Sequence, residues 1–554
     1  MKIQATQINA VVGDIEGNAR KVLAGLERAR EAQADIVLFP ELTLIGYPPE
    51  DLLLDLPLIK AAERKLQELA PATVGMFVVV GLARKVLQHK EKPLHNSAAV
   101  FVDGALVGFK DKTLLPTYDV FDERRFFEPG TGPSVFIYKG QRIGITICED
   151  AWQHAGCVGY SDYPQDPIQE LAEQGIDLLL NLSASPYNRK RLDDRAALFA
   201  KSAKTLRCPV IMCNQVGAND QLVFDGHSLY INSKGELAAI AKGFEEDDLS
   251  VDLSLPALPI QIPSQEPQNL YSALVLGVRD YFQKQNFSRA ILGLSGGIDS
   301  AVTACIAVQA LGKDNVSVLN MPSRYSSQAG QIDAAQLASN LGISIQTISI
   351  DGLFQHYLDT VAPFFAGLNE DITEENLQSR IRGMLLMAFS NKLGSLVLAA
   401  GNKSEMAMGY TTLYGDMVGA LGVLQDVTKT NVYGLAKWIN RDGEIIPKSI
   451  LDKLPSPELK AGQVSFDRLP PFEVLDPILE DYLEERLSPK EIAAKRGQLL
   501  PIVEEIIRRI HAAEYKRRQA PPGIRVTTKA FSRGRNIPIV QKWVGSMNKE
   551  SHER

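Results

Sequence analysis

Residues 293–300 read GLSGGIDS, a composition suited to cradling phosphate. The segment follows an apolar stretch and opens a helical one. Gly296 and Gly297 let the backbone turn tightly and approach a ligand with no Cβ in the way. A helix that starts there presents free N–H groups and the positive end of its dipole to an anion. The hydroxyls of Ser295 and Ser300 add donors. Asp299 would repel a bare phosphate, so a bridging Mg²⁺ is its sensible role. No GxxxxGK[ST] occurs here, so this is not a Walker A loop. The alternative is a ligand-free Gly–Gly turn. A second set of candidates lies earlier. Cys148 (RIGITICEDAW) closes an apolar strand before an acidic turn, as a core filler or as a nucleophile on a sharp turn. Glu41 (LFPELTLIGYPPED) lies at another strand end, and Lys112 lies in the charged segment KDKTLLP. Singly, each reads as an ordinary carboxylate or surface charge.

Residues that far apart need large folded bodies to bring them together. A chain of 554 residues exceeds one core of usual size and suggests two to four units. With 45% hydrophobic and 23% charged residues the composition is that of a globular protein. The net charge of -7 argues against a general nucleic-acid binder. No apolar run reaches the length of a membrane span, and MKIQATQIN is not a signal peptide. Five scattered cysteines without a CxxC pair suggest neither zinc ribbon nor disulfide framework, so a cytoplasmic location is expected.

Four prolines, Pro256, Pro259, Pro263 and Pro267, mark an extended linker at 251–269, between a domain at 1–250 and another at 270–554. Before it, short apolar strands are expected at 3–8, 35–40, 76–83, 96–102, 142–148 and 177–182. Helices are expected at 16–32 and 191–206, giving an α/β layered domain. After it, strands at 290–294, 316–321, 345–350 and 396–400 alternate with helices at 300–311, 333–341 and 374–392. That alternation predicts a parallel sheet covered on both faces.

Taken together, these segments resemble known families. SGGIDS resembles the pyrophosphatase-type loop of ATP enzymes that cleave between the α- and β-phosphates. With GNKSEMAMGYTTLYGDMVGALGVLQDVTKTNVYGLAKWI (401–439), NLQSRIRG (376–383), PSPEL (455–459), EYKRRQAPPG (514–523) and KAF (529–531), the second half resembles the NAD synthetase family over nearly all of 270–535. Glu in PEL, Lys before LLP and Cys in ICED resemble the nitrilase, or carbon–nitrogen hydrolase, superfamily over roughly 1–240. YDVFDERRFF (118–127) places them nearer the glutaminase domain of glutamine-dependent NAD synthetases.

The resemblance implies an N-terminal nitrilase-like α-β-β-α sandwich. A C-terminal Rossmann-like parallel-sheet domain, of the adenine-nucleotide α-hydrolase type, would follow it. It implies that Cys148 attacks glutamine, with Glu41 as general base and Lys112 stabilising the oxyanion. Tyr118, Ser185 and Arg191 would bind glutamine, and Glu123 would be a supporting acid or an ion-pair partner. ATP would be held by Gly293, Leu294, Ser295, Gly296, Gly297, Ile298, Asp299, Ser300, Arg382 and Lys429. Asn376, Arg380, Glu405, Asp416 and Lys516 would line the deamido-NAD site, and Asp299 and Glu405 would hold Mg²⁺. Threonines usual in the family before GNKSE are replaced by Ala399 and Ala400, so a hydroxyl contact to ATP is lost or replaced by backbone. The implied reaction adenylates the nicotinate carboxylate of deamido-NAD and displaces AMP with ammonia from glutamine, carried through a tunnel. A homo-oligomer is expected. Two alternatives stand beside this reading: a related adenylating amidotransferase with another substrate, and a glutamine-sensing first domain without catalysis.

Overall fold

The computed structural model describes residues 1–87, 90–155, 163–262 and 266–543; Cys157, Pro263 and the end of the chain lie outside them. The chain forms two compact units, Met1–Gln265 and Glu266–Arg554. Among the described residues no helix is long and apolar enough to cross a membrane.

The first unit stacks two six-stranded sheets. One runs in the order Asp247–Asp252, Lys2–Gln7, Ile36–Leu38, Phe77–Lys85, Leu94–Val102, Ala105–Asp111. The other runs Leu237–Ile240, Leu229–Ile231, Val210–Asn214, Leu178–Ser183, Gln141–Ile147, Ser134–Tyr138. Strand side chains alternate between faces. Accordingly Ile36, Leu38, Phe77 and Val79 meet Ile143, Ile145, Leu178 and Leu180 in the core between the sheets. Their neighbours Val37, Phe39, Val78 and Val80 turn outward against Val22 and Leu26 of helix Ile15–Glu31 and Leu66 of helix Leu56–Leu69. On the far side Leu179, Val210 and Met212 pack under Ile168 and Leu171 of helix Pro167–Gln174 and Leu198 and Phe199 of helix Arg191–Leu206. This is an α-β-β-α sandwich. Because both faces of each central strand are covered, the sequence shows continuous apolar runs rather than alternation. The last strand of the unit runs to Asp252, past position 250, and pairs antiparallel with Lys2–Gln7.

The second unit carries a parallel sheet in the order Ser344–Thr347, Val316–Asn320, Ala290–Gly293, Leu396–Ala399, Leu421–Gly422. The helix expected from 333 begins five residues earlier, as Gln328–Leu341, because the Ser327 side chain accepts from the Gly330 N–H and caps it. The strand expected at 345–350 is Ser344–Thr347. Between Ala290–Gly293 and Leu396–Ala399 the strand order reverses direction, and a crevice opens at the carboxyl ends of such neighbours. Helices Phe472–Leu483, Pro489–Arg496 and Leu500–Ala512 share a separate apolar cluster with Ala407 and Met408.

One glycine sets how closely the turn around Glu41 approaches strand Phe77–Lys85. A Cβ on Gly81 would lie 2.4 Å from the Pro40 carbonyl oxygen and 2.5 Å from the Leu42 nitrogen, on either side of Glu41. Both obstacles are backbone, so neither can swing away. Gly81→Ala is expected to cost about 2 kcal/mol and to lower the first unit's calorimetric transition by about 4–8 °C; an unchanged transition would refute this packing argument.

Candidate active sites

In the first unit the ends of several strands converge on a buried ammonium. Lys112 Nζ donates to Glu41 Oε1 at 2.7 Å and to Glu123 Oε1 at 2.8 Å, with all three residues buried. Glu41 Oε1 also accepts from the Asn96 amide at 2.7 Å, and its Oε2 accepts from the Ala184 N–H at 3.0 Å. The Lys112 backbone N–H donates to the Asn96 carbonyl at 2.8 Å, so Asn96 orients both partners. Tyr47 Oη donates to Glu123 Oε1 at 2.9 Å. A buried charge survives only when paired and hydrogen-bonded. Burial works against the Lys112 ammonium, but Glu123 and Glu41 outweigh it and hold its pKa well above the lysine range. Burial pushes Glu123 up to about 7, with Lys112 opposing and Glu41 adding to the rise.

Cys148 follows strand Gln141–Ile147 and begins the 3₁₀ turn Cys148–Ala151. Its φ is +43°, a left-handed conformation that non-glycine residues rarely hold without a reason. Its thiol lies within electrostatic reach of Glu41 and Lys112. Burial, helped by the Glu41 carboxylate and opposed by Lys112, holds that thiol well above the usual cysteine range. The resting group is therefore a thiol with the Glu41 carboxylate in its electrostatic surroundings. The other cysteines described, Cys208, Cys213 and Cys305, are free and buried.

Glu149, which the sequence reading passed over, is 2% exposed and accepts from Tyr118 Oη at 2.9 Å and Tyr163 Oη at 3.2 Å. Burial raises its pKa, while Lys112 and, more weakly, Arg191 lower it. Burial and Glu149 both push the Tyr118 hydroxyl far above its ordinary value. The Arg191 guanidinium lies 4.9 Å from the Trp152 ring centroid. The buried Ser185 follows Ala184, and its N–H donates to Asn214 at 2.9 Å. Thus Tyr118 and Arg191 gather near Glu149, and Ser185 lies in sequence beside the Glu41 contact. The only hint of Glu149 in the sequence was its place directly after Cys148.

The second unit holds a cavity of about 370 Å³ at the carboxyl ends of its parallel strands. Gly293, Leu294, Ser295, Gly296, Gly297, Ile298, Asp299 and Ser300 all line it. Gly296 has φ +77°, and a Cβ there would lie 2.2 Å from the Gly330 carbonyl oxygen, so only glycine fits. Gly297 is the N-cap of helix Ile298–Leu311. Asp299 accepts from Lys429 Nζ and, at 3.0 Å, from the Asn402 amide. Lys429 also lies 3.6 Å from Glu405. Burial lifts Glu405 to about 7 against the pull of Lys429, and burial lifts Asp416 to about 6. Burial opposes the Lys429 charge, but Asp299 and Glu405 raise its pKa.

Asn376, Arg382, Asp416 and Lys516 line the same cavity, whereas Arg380 is absent from its wall and donates to the Leu413 carbonyl at 3.2 Å. Arg382 donates to the Met321 carbonyl at 3.0 Å, and burial lowers its pKa to about 10. Lys516 Nζ donates to the carbonyls of Gly409 at 2.8 Å and Thr411 at 2.7 Å. Ala399 and Ala400 are wall residues that offer no side-chain hydroxyl. Asn402, Ser327, Lys453 and Glu458 carry no sequence signal of what they meet here. Lys453 pairs with Glu458 at 2.6 Å, and Ser327 donates to Glu458 at 2.8 Å. Two matched segments, PSPEL and the GNKSE start of 401–439, contain Glu458 and Asn402; Ser327 and Lys453 lie in none.

Known proteins match the chain over both units. A carbon-nitrogen hydrolase family profile matches residues 2–258, and an NAD synthase profile matches residues 270–520. The glutamine-dependent NAD(+) synthetase of Synechocystis sp. is 46% identical over 549 residues, spanning 97% of this chain and 98% of that protein. That of Thermotoga maritima is 40% identical, spanning 98% and 99%. The solved glutamine-dependent NAD+ synthetase from Acinetobacter baumannii, in complex with ADP, is 39% identical and superposes with a TM-score of 0.77 over 97% of this chain and 98% of that one. A sandwich built around Cys148, Glu41 and Lys112 and a parallel-sheet unit with a phosphate-type loop thus occur together in one polypeptide, and the chain belongs to the glutamine-dependent NAD(+) synthetases.

Proposed function

We propose that Cys148, Glu41 and Lys112 release ammonia from glutamine in this glutamine-hydrolysing NAD synthetase, and that the cavity of the second unit uses it. The observation that carries the reading is the buried Lys112–Glu41 pair at 2.7 Å with the Cys148 thiol in its field. Glu41 takes the thiol proton as sulfur attacks the side-chain amide carbon. Lys112 stabilises the oxyanion. The tetrahedral adduct collapses to a thioester, and the Glu41 proton leaves with ammonia. Glu41 then draws a proton from water, which attacks the thioester and frees glutamate and the thiol. Glu123, near neutrality in pKa, limits the negative charge around Lys112. Glu149 suits the α-ammonium of glutamine and Arg191 its α-carboxylate, with Tyr118 and Ser185 completing the pocket.

In the second unit the carboxylate of deamido-NAD attacks the α-phosphorus of ATP, pyrophosphate leaves, and ammonia displaces AMP from the acyl-adenylate. The Ser295–Ser300 stretch and Lys429 hold the phosphates, with Arg382 beside them. Asn376, Asp416 and Lys516 bind deamido-NAD. Arg380 fits that role less directly, since it lies off the cavity wall. Among the described residues no group of three or more His, Cys, Asp or Glu could hold a metal. Two carboxylates, Asp299 and Glu405, would nevertheless suffice to hold Mg²⁺ beside ATP phosphates, since this ion needs few protein ligands. Bound there, it would neutralise charge on the phosphates.

Two coarser features complete the reading. A reduced catalytic thiol and a need for ATP fit the cytoplasm, which cell fractionation tests. Phe364, Leu368 and Met384 expose 82%, 73% and 60% of their surface, which fits a homo-oligomer, and a one-chain mass in sedimentation would remove that expectation.

Cys148→Ala is expected to lower glutamine-driven NAD formation by at least about 10³-fold while ammonium-driven formation stays within about twofold of wild type. Survival of the glutamine-driven rate would end the assignment. A second test uses linkage. Glu405 titrates near 7 when folded against an ordinary value of 4.5. A raised carboxyl pKa gives stability that is fully present below the unfolded value and lost as pH rises through the folded one. Between pH 5 and 8 this loss is about 2 kcal/mol. Glu405→Gln should remove that slope from the second unit's denaturant-unfolding stability and abolish NAD formation with either nitrogen source. An unchanged slope would show that Glu405 is not the titrating group.

A further inference from the structure

Asp150 and Lys110 are fully buried, at 0% exposure each, and take no part in the steps above. Asp150 Oδ1 accepts from the N–H groups of Thr113 and Leu114, each at 2.9 Å. Its Oδ2 accepts from the Ile147 N–H at 3.1 Å and lies 3.5 Å from Lys110 Nζ. Lys110 Nζ in turn donates to the Asp111 carbonyl and Thr113 Oγ1, each at 2.6 Å, and to the Gly132 carbonyl at 3.0 Å. One carboxylate therefore ties the residue before Cys148 to the two residues after Lys112. The ammonium bound to it sits two residues before Lys112. Cys148 begins its turn at φ +43°, a conformation that persists only where surrounding bonds hold it.

We propose that Asp150, with Lys110, is the positioning residue that fixes the Cys148 turn against the Lys112 loop through hydrogen bonds to Ile147, Thr113 and Leu114. The pair touches no substrate and acts through the alignment of sulfur and ammonium. It rests on Cys148 and Lys112 acting as described above. An aspartate is needed rather than its amide. Asn could keep one oxygen for Thr113 and Leu114, but its NH₂ would then face the Ile147 N–H and the Lys110 ammonium, donor against donor.

The test uses the full chain with Asp150→Asn, the milder isosteric Thr113→Val, and Cys148→Ala as reference. Glutamate release gives kcat and KM for glutamine. Inactivation by iodoacetamide as a function of pH reports the thiol's cationic surroundings, which a merely structural role would leave unmoved in the folded fraction. Asp150→Asn is expected to lower kcat by roughly 30- to 100-fold with KM within about threefold. It should also move the alkylation profile up by about one pH unit. Thr113→Val should move both in the same direction by less. Wild-type kcat and alkylation in Asp150→Asn would overturn the proposal. So would a fall in kcat that only tracks the folded fraction in circular dichroism, with an unmoved profile. Glutamate release by Cys148→Ala would instead overturn the nucleophile reading itself.

Discussion

An ammonium taken out of water must be matched by carboxylate, and this requirement organises the first unit. Lys112 is buried between Glu41 and Glu123, and each of those is held by a further donor, Asn96 or Tyr47. One cation shared by two carboxylates leaves a surplus of negative charge, which burial relieves by raising Glu123 to about 7. Glu41 is held by three donors, and the thiol beside it is kept protonated by burial. The cluster thus gathers a thiol, two carboxyl groups and one ammonium in a space closed to water. Strand ends from both sheets supply it, so its geometry depends on the sandwich packing correctly.

The second unit uses the same electrostatic device for another purpose. Lys429 bridges Asp299 and Glu405, and again one carboxyl, Glu405, is lifted to about 7. Here the cluster lines a cavity with glycines 296 and 297 and a helix N-terminus along one wall. The Lys429 cation and the two carboxylates neutralise one another at the cavity wall. Both sites place strong charges where they destabilise the fold unless paired, which is why each contains a short ion pair rather than free side chains.

The apolar runs that read as strands are strands because both faces of the central ones are covered, and period two reappears once the sheets are stacked. The helix at 328–341 began earlier than expected because Ser327 caps it, a signal visible in the sequence but overshadowed by the apolar residues farther on. Cys148, Glu41 and the 293–300 loop stood out in the sequence as candidates because residue type and strand-end position coincide, and Lys112 joined them only through the resemblance of its motif. Glu149, Asn96, Asn402 and the Asp150–Lys110 pair were not, since an acidic or amide residue in a loop has no local signature of what it will meet. Arg380 illustrates the reverse: its motif is present, yet helix phase turns it to the Leu413 carbonyl and off the cavity wall.

The sequence by itself supplied the candidate groups, a Gly–Gly turn before a helix and a cysteine at a strand end, and the joint resemblance of the motifs to two families is what tied them to two kinds of chemistry. It also determined the layered class of each unit, since hydrophobic periodicity is a local property. Which carboxylate meets which cation, and so which pKa values shift, was decided only by the tertiary structure. Those contacts join residues 71 and 130 positions apart, and electrostatic energy in a buried site depends on distance and desolvation that no linear pattern records.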